Sequence, residues 1–292
     1  MPAQLAARSQ PPVRMPQVDR RGAKPVRQLE TDMTSIKQAF DLTGKTALIT
    51  GGSRGLGLQI AEALGEQGAR IVLSARKPDA LQQAQAHLGG LGIRAEWIAA
   101  DSQRSEELDR LTRDALERTG RIDILVNNAG AAWGSPAVDH PLEAWDKLMN
   151  LNARAVFYLS QQIGKLSMIP NGQGKILNIA SIAGLRGNPP NTVAALAYNA
   201  SKAAVVNMTR ALASEWGRYG INVNALAPGY FQSKMTKGVI ETIGLDKVTA
   251  DVPLRRIGDD DDLKGAALLL CSEAGKHITG QILAVDGGVM AM

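Results

Sequence analysis

The chain has 292 residues, of which 45% are hydrophobic and 21% charged, with one cysteine and a net charge of +5. That apolar content excludes a disordered chain. The lone Cys271 excludes an internal disulfide, and no apolar run reaches the roughly 18 residues of a membrane-spanning helix. Residues 1–32 carry +3 of the +5 and the remainder is nearly balanced. A folded part of balanced charge behind a basic tail implies neither a nucleic-acid nor a membrane partner.

Residues 1–40 read as a disordered, Pro- and Arg-rich extension, with Pro2, Pro11, Pro12, Pro16 and Pro25 and no sustained apolar period. Its arginines leave a transit peptide open, although the prolines would interrupt the amphipathic helix that such a peptide needs. A later start at Met33 is the other reading.

Residues 41–292 read as one domain. Short β-branched runs recur as KTALIT, RIVLSA, RAEWIAA, DILVNN, KILNIA, INVNALA and QILAVDGG, and helical patterns separate most of them. Seven strands with helical crossovers predict a parallel sheet covered on both faces. Right-handed crossovers make it an α/β doubly wound Rossmann-type fold. No repeat of fixed period and no second linker divides it.

Ligands of such sheets bind beyond the carboxyl ends of the strands. There the chain places Gly51 to Gly57, Ala75-Arg76, Asp101, Asn127 to Gly130, Ser181 and Pro228-Gly229, in that order. Each alone is ordinary loop chemistry; their common register describes one continuous site. The first turn, ITGGSRGLG, holds Gly51, Gly55 and Gly57 with Ser53, Arg54 and Leu56 between them. Glycines there allow backbone conformations that other residues resist and a close approach to a pyrophosphate. The helix starting near Gly55 adds free N–H groups and a positive dipole end. A packing turn without a ligand is the alternative.

In YNASK, Tyr198 and Lys202 are four apart at the start of a helical pattern and share a face. A nearby ammonium lowers a phenol pKa from about 10. Such a phenol gives a proton to a carbonyl oxygen or takes one from an alcohol.

TGGSRGLG, NNAG, a serine after the fifth strand, YNASK and PG, in that order, resemble the short-chain dehydrogenase/reductase superfamily in its main single-domain branch, over about residues 41–292. The resemblance implies a seven-stranded sheet in the order 3-2-1-4-5-6-7. It implies Tyr198 as general acid/base in a hydride transfer, and Lys202 holding the nicotinamide ribose and lowering the Tyr198 pKa. Ser181 would hydrogen-bond the substrate oxygen, and Asn152 would hold a water in the proton relay. Asn127, Asn128, Ala129 and Gly130 would line the adenine-ribose side, Asp101 and Ser102 would meet the adenine, and Pro228, Gly229 and Ser233 would complete the cofactor site, with Thr236 beside Ser233. A cytoplasmic homotetramer acting on a small carbonyl or alcohol also fits the family. Two positions keep alternatives. Small serines such as Ser181 often cap or turn, and Asn150 lies beside Asn152.

At the end of the second strand an NAD site wants a carboxylate. The chain has Ala75, then Arg76 and Lys77, and Arg54 can approach the same place. Arginine pairs with a 2′-phosphate, so the expected cofactor is NADP(H) rather than NAD(H). The nearest acid, Asp79, follows Pro78 in the first turn of a helix, where the dipole favours it.

AGAAWGSP with APGYFQSKMT is similar to the bacterial β-ketoacyl reductase and gluconate 5-dehydrogenase-like group, implying a 3-oxoacyl thioester or a keto sugar acid as substrate. A non-catalytic NADP-sensing protein on the same scaffold is the alternative; such proteins lack the Tyr or the Lys, and here both are present. The Ser-to-Tyr interval IAGLRGNPPNTVAALA is a few residues longer than the family's and contains Pro189-Pro190. It should wall the substrate pocket, where Arg186 could meet a negative group. Residues 230–258 would form the substrate lid. DDDD, Asp259 to Asp262, reads as helix capping and dipole compensation, and no metal site is expected.

Overall fold

The structure is a computed structural model that describes residues 35–188, 194–232, 236, 238, 240–241 and 244–292. Pro189, Pro190, Ser233 and the extension through residue 34 lie outside the described residues.

Seven strands run in chain order: β1 Thr46–Thr50, β2 Arg70–Ala75, β3 Ala95–Ala99, β4 Ile124–Asn127, β5 Gly174–Ile179, β6 Ile221–Pro228 and β7 Ile282–Val285. They form one all-parallel sheet in the order β3-β2-β1-β4-β5-β6-β7, as the resemblance implied. Through Lys202 and Trp216 the helices are α1 Ile36–Phe40, α2 Gly55–Glu66, α3 Pro78–Gly90, α4 Ser105–Thr119, α5 Leu142–Met149, α6 Ala155–Ile163, α7 Ile169–Asn171 and α8 Leu196–Trp216. Leu245–Ala250 and Lys264–Cys271 follow.

Alternation along the strands divides the core into two layers. Ala47, Ile49, Ile71 and Leu73 pack with Ile60 and Leu64 of α2, Leu81 and Leu88 of α3, and Ala267 and Leu270 of the helix Lys264–Cys271. Leu48, Val72, Leu125 and Val223 point the other way, onto Leu108 and Leu111 of α4, Leu159 and Ile163 of α6, and Leu212 and Trp216 of α8. The central strands are buried on both faces, so they read as continuous apolar runs.

Two expectations are corrected. Residues 35–40, placed in the unstructured extension, include the helix α1. Ser35 and Gln38 form a capping box, with the Gln38 N–H donating to Ser35 Oγ at 3.3 Å and the Ser35 N–H to Gln38 Oε1 at 3.1 Å. The aspartates 259–262 do not cap the following helix, whose first turn holds no acidic residue. Cations within reach take them instead: Arg256 pairs with Asp262 at 2.7 Å and Lys264 with Asp261 at 2.9 Å. Asp260 accepts from Gln59 at 2.7 Å.

Candidate active site

The glycine turn leaves β1 with Gly51 at φ 65° and Gly55 at φ 55°, both in the left-handed region. A Cβ on Gly51 would lie 2.7 Å from Asn128 Nδ2, and one on Gly57 would lie 2.6 Å from the Gly51 carbonyl oxygen. Gly57 is therefore buried behind the turn as a packing glycine. Gly55 meets nothing within 4 Å and opens onto the cleft. No side chain caps α2, so its first N–H groups are left for a ligand. Thr50, which the sequence reading passed over, ties β1 to β4. Its Oγ1 accepts from the backbone N–H groups of Asn128 and Ala129, each at 3.1 Å. Asn128 Nδ2 donates back to the carbonyls of Thr50 at 3.0 Å and Gly51 at 3.1 Å. Asn127 instead turns into the sheet, donating to Ser160 and Asn178.

A cleft of about 1030 Å³ runs along these strand ends. It is lined by Gly51, Ser53, Arg54, Gly55, Leu56, Arg76, Asp101, Ser102, Asn128, Ala129, Gly130, Ser181, Tyr198, Lys202, Pro228 and Gly229, together with Thr236. Ser233 lies outside the described residues. Arg186 does not line the cleft. Trp133, Lys147 and Phe231 do, and the sequence reading missed them although AAWG and GYF directly follow the quoted motifs. Arg54, Arg76 and Lys77 are exposed and make no ion pair among the described residues. The end of β2 presents Ala75 and no carboxylate. Asp101 turns back on its own loop, accepting from the Gln103 N–H at 3.0 Å. A glycine cradle that a Cβ would fill, an uncapped helix start and uncompensated cations together fit a pyrophosphate and one further phosphate.

At the other end of the cleft, α8 presents Tyr198 and Lys202 on one face toward Ser181, just past β5. Ser181 caps the short turn Ile182–Gly184, accepting from the Ala183 N–H at 3.2 Å, and lines the cleft together with Tyr198. Lys202 Nζ lies 5.8 Å from the Tyr198 ring centroid and donates to the Ile179 carbonyl at 2.7 Å. Burial lowers the Lys202 pKa to about 8. The expected lowering of the Tyr198 pKa is not what this geometry gives. Burial pushes the phenol up, and the nearby Ser181 hydroxyl only partly opposes it. Withdrawal from water disfavours the phenolate, and the Lys202 ammonium is directed at a backbone carbonyl.

Between α5 and α6 the chain widens into a π-helical turn, Asn150–Arg154, a feature frequent at functional sites. It directs Asn152 inward. Asn152 Nδ2 donates to the Ala131 carbonyl at 2.8 Å and to Ser201 Oγ at 3.0 Å, and Oδ1 accepts from the Ala131 N–H at 2.9 Å. Asn150 faces away, bonded to the Gln103 carbonyl at 2.8 Å and to Arg154 at 3.1 Å. A Cβ on Gly130 would lie 3.2 Å from Asn152 Oδ1 and 3.5 Å from Lys202 Nζ, so the three converge. Among the described residues no three His, Cys, Asp or Glu side chains gather as a metal site.

A doubly wound sheet with a phosphate cradle and a Ser, Tyr and Lys group in one cleft defines a nucleotide-dependent protein of the oxidoreductase class. The family described as Enoyl-(Acyl carrier protein) reductase matches residues 51–290. Gluconate 5-dehydrogenase of Gluconobacter oxydans is 39% identical over 253 residues, 86% of this chain and 96% of that protein. The rhamnolipids biosynthesis 3-oxoacyl-(acyl-carrier-protein) reductase of Pseudomonas aeruginosa is 37% identical over 253 residues, 85% and 97% of the two chains. The crystal structure of a gluconate 5-dehydrogenase from Burkholderia cenocepacia, in complex with NADP and tartrate, aligns with a TM-score of 0.82 at 35% identity, covering 88% of this chain and 99% of that one. The chain belongs to the short-chain dehydrogenase/reductase superfamily.

Proposed function

We propose that this chain is an NADP(H)-dependent carbonyl reductase and alcohol dehydrogenase whose substrate is a keto sugar acid. The observation that carries the reading is the convergence of Ser181, Tyr198 and Lys202, with Lys202 Nζ 5.8 Å over the Tyr198 ring, in the cleft that holds the glycine turn. Gly51, Ser53, Gly55 and Leu56 with the start of α2 would hold the pyrophosphate, and Arg54 and Arg76 the 2′-phosphate. Asp101, Ser102, Asn128, Ala129 and Gly130 would flank the adenosine, and Pro228 and Gly229 the nicotinamide. When bound, the nicotinamide supplies or accepts the hydride. Ser181 holds the substrate oxygen beside Tyr198. Tyr198 gives that oxygen a proton in reduction and takes it back in oxidation; its raised pKa keeps it protonated and ready to donate at neutral pH. Lys202 replenishes the proton, a role that a pKa near 8 suits. Asn152 clamps Ala131 and so holds Gly130 against Lys202.

NADP in the Burkholderia structure supports the cofactor, beside the uncompensated Arg54 and Arg76. The gluconate-type relatives support the sugar-acid substrate; the Pseudomonas relative supports a 3-oxoacyl thioester as the second candidate. We further place the enzyme in the cytoplasm as a homotetramer, with residues 41–292 as the catalytic domain. Among the described residues no helix is long and apolar enough to cross a membrane. The test is NADPH oxidation with 5-keto-D-gluconate and, separately, a 3-oxoacyl thioester. Tyr198→Phe should lower turnover by about 10²–10⁴-fold. Substantial turnover in that variant would refute the proton donor, and inactivity toward both substrates would refute the substrate reading.

A further inference from the structure

Ser181 is held from two sides. On one, the turn Ile182–Gly184 lies directly on α8: a Cβ on Gly184 would be 2.6 Å from the Lys202 carbonyl carbon and 2.8 Å from the Ala203 nitrogen. On the other, Ile182 packs in a small apolar cluster with Val252, Val289 and Met290, apart from both layers of the sheet. Ile182 is the residue next to Ser181, so whatever fixes this cluster fixes the serine.

The closing DGG segment fixes it. Asp286 Oδ1 accepts from the Gly288 N–H at 2.9 Å and Oδ2 from the Met290 N–H at 2.7 Å, winding the turn Val289–Ala291. Gly287 and Gly288 sit at φ 66° and 95°. A Cβ on Gly287 would lie 2.6 Å from Val252 and one on Gly288 3.0 Å from Pro253, so the segment from Val252 to Leu254 lies flat on both. The Leu254 N–H donates to the Gly287 carbonyl at 3.1 Å. The same segment backs the cleft: a Cβ on Gly229 would be 2.8 Å from Asp286 Cα.

We propose that the turn Asp286–Met290 is a positioning element of the active site, in which Val289 presses on Ile182 and thereby keeps Ser181 facing Tyr198 in the cleft. It rests on the proposed function only for the roles of Ser181 and Tyr198, and Val289 acts through them without touching substrate. Among the described residues, the cation placed over the Tyr198 ring is Lys202 of α8 itself; the residues Ser181 to Gly184 include no ionisable group.

The test reads the contact rather than turnover. The full chain, which has four tyrosines, is labelled with ¹³C at the tyrosine Cζ, and Tyr198 is assigned with Tyr198→Phe. Its titration midpoint is then followed by NMR. Val289→Ala should raise the midpoint by about half a pH unit as the Ser181 hydroxyl shifts away from the phenol, with the other tyrosines unmoved; Val289→Ile should restore it. Asp286→Asn, which leaves one acceptor oxygen for the Gly288 and Met290 N–H groups, should raise it likewise and serves if Val289→Ala does not fold. An unchanged Tyr198 midpoint in a folded variant overturns the proposal. So does a shift that Val289→Ile fails to reverse. Failure of the substrate assays would refute the proposed function and leave this readout intact.

Discussion

Burial of Lys202 makes a measurable prediction about stability. Lys202 is 6% exposed and its Nζ donates to the Ile179 carbonyl at 2.7 Å. Burial brings its pKa from 10.5 to about 8. Between those values the unfolded chain binds a proton that the folded chain lacks, so stability rises with pH across that window. Below about pH 8 the full cost is present, about 3 kcal/mol, and above the unfolded pKa it vanishes. Between pH 7 and 9.5 the cost should shrink by about 2 kcal/mol. Lys202→Met keeps most of the stem and removes the charge. It also strands the Ile179 carbonyl, which costs about 1–3 kcal/mol at any pH. The two effects are of similar size at pH 7, so the absolute stability of the variant decides nothing. The pH dependence does. Urea unfolding of both proteins at pH 7 and 9.5, at one protein concentration, should show the variant losing about 2 kcal/mol relative to wild type over that interval. A difference independent of pH would refute the lowered pKa, and with it the assignment of Lys202 as a proton carrier near neutrality.

Two further outcomes test the cleft. Arg54→Ala and Arg76→Ala should each raise the KM for NADPH by about 10- to 100-fold, the loss of one charge-assisted hydrogen bond, and leave NADH nearly unaffected; equal weakening toward both cofactors would remove the basis for the 2′-phosphate site. Gly184→Ala places a methyl group 2.6 Å from the Lys202 backbone, where no flexible side chain can yield. It should cost about 1–3 kcal/mol in thermal unfolding and reduce kcat while the NADPH KM holds; an unchanged kcat would mean the Ser181 turn has slack.

The sheet was legible because a parallel sheet buried on both faces shows as apolar runs, and Leu48 and Ile49 then part to opposite layers by alternation alone. The site was legible as a set of residues at strand ends, and the structure brings Gly51, Arg54, Arg76, Asp101, Ser181, Tyr198 and Lys202 to one cleft. What spacing could not disclose are effects of enclosure. The chain widens into a π-helical turn at Asn150–Arg154, which spacing does not show, and there Asn152 bonds the Ala131 carbonyl while Asn150 bonds the Gln103 carbonyl. The aspartates 259–262 suit a helix start by composition, but Arg256 and Lys264 come close enough to claim three of them.

The same distinction governs the chemistry at Tyr198. Four-residue spacing brings an ammonium near a phenol, and in water that would lower the phenol pKa. The pocket that brings them together also removes the water. Desolvation then raises the tyrosine and lowers the lysine, drawing the lysine toward neutrality while the tyrosine stays protonated. A protonated phenol beside an amine that exchanges its proton near pH 8 is equipped to donate to a carbonyl oxygen and be refilled. The arrangement therefore favours carbonyl reduction at neutral pH, and alcohol oxidation should strengthen as the pH rises and the phenol more readily loses its proton.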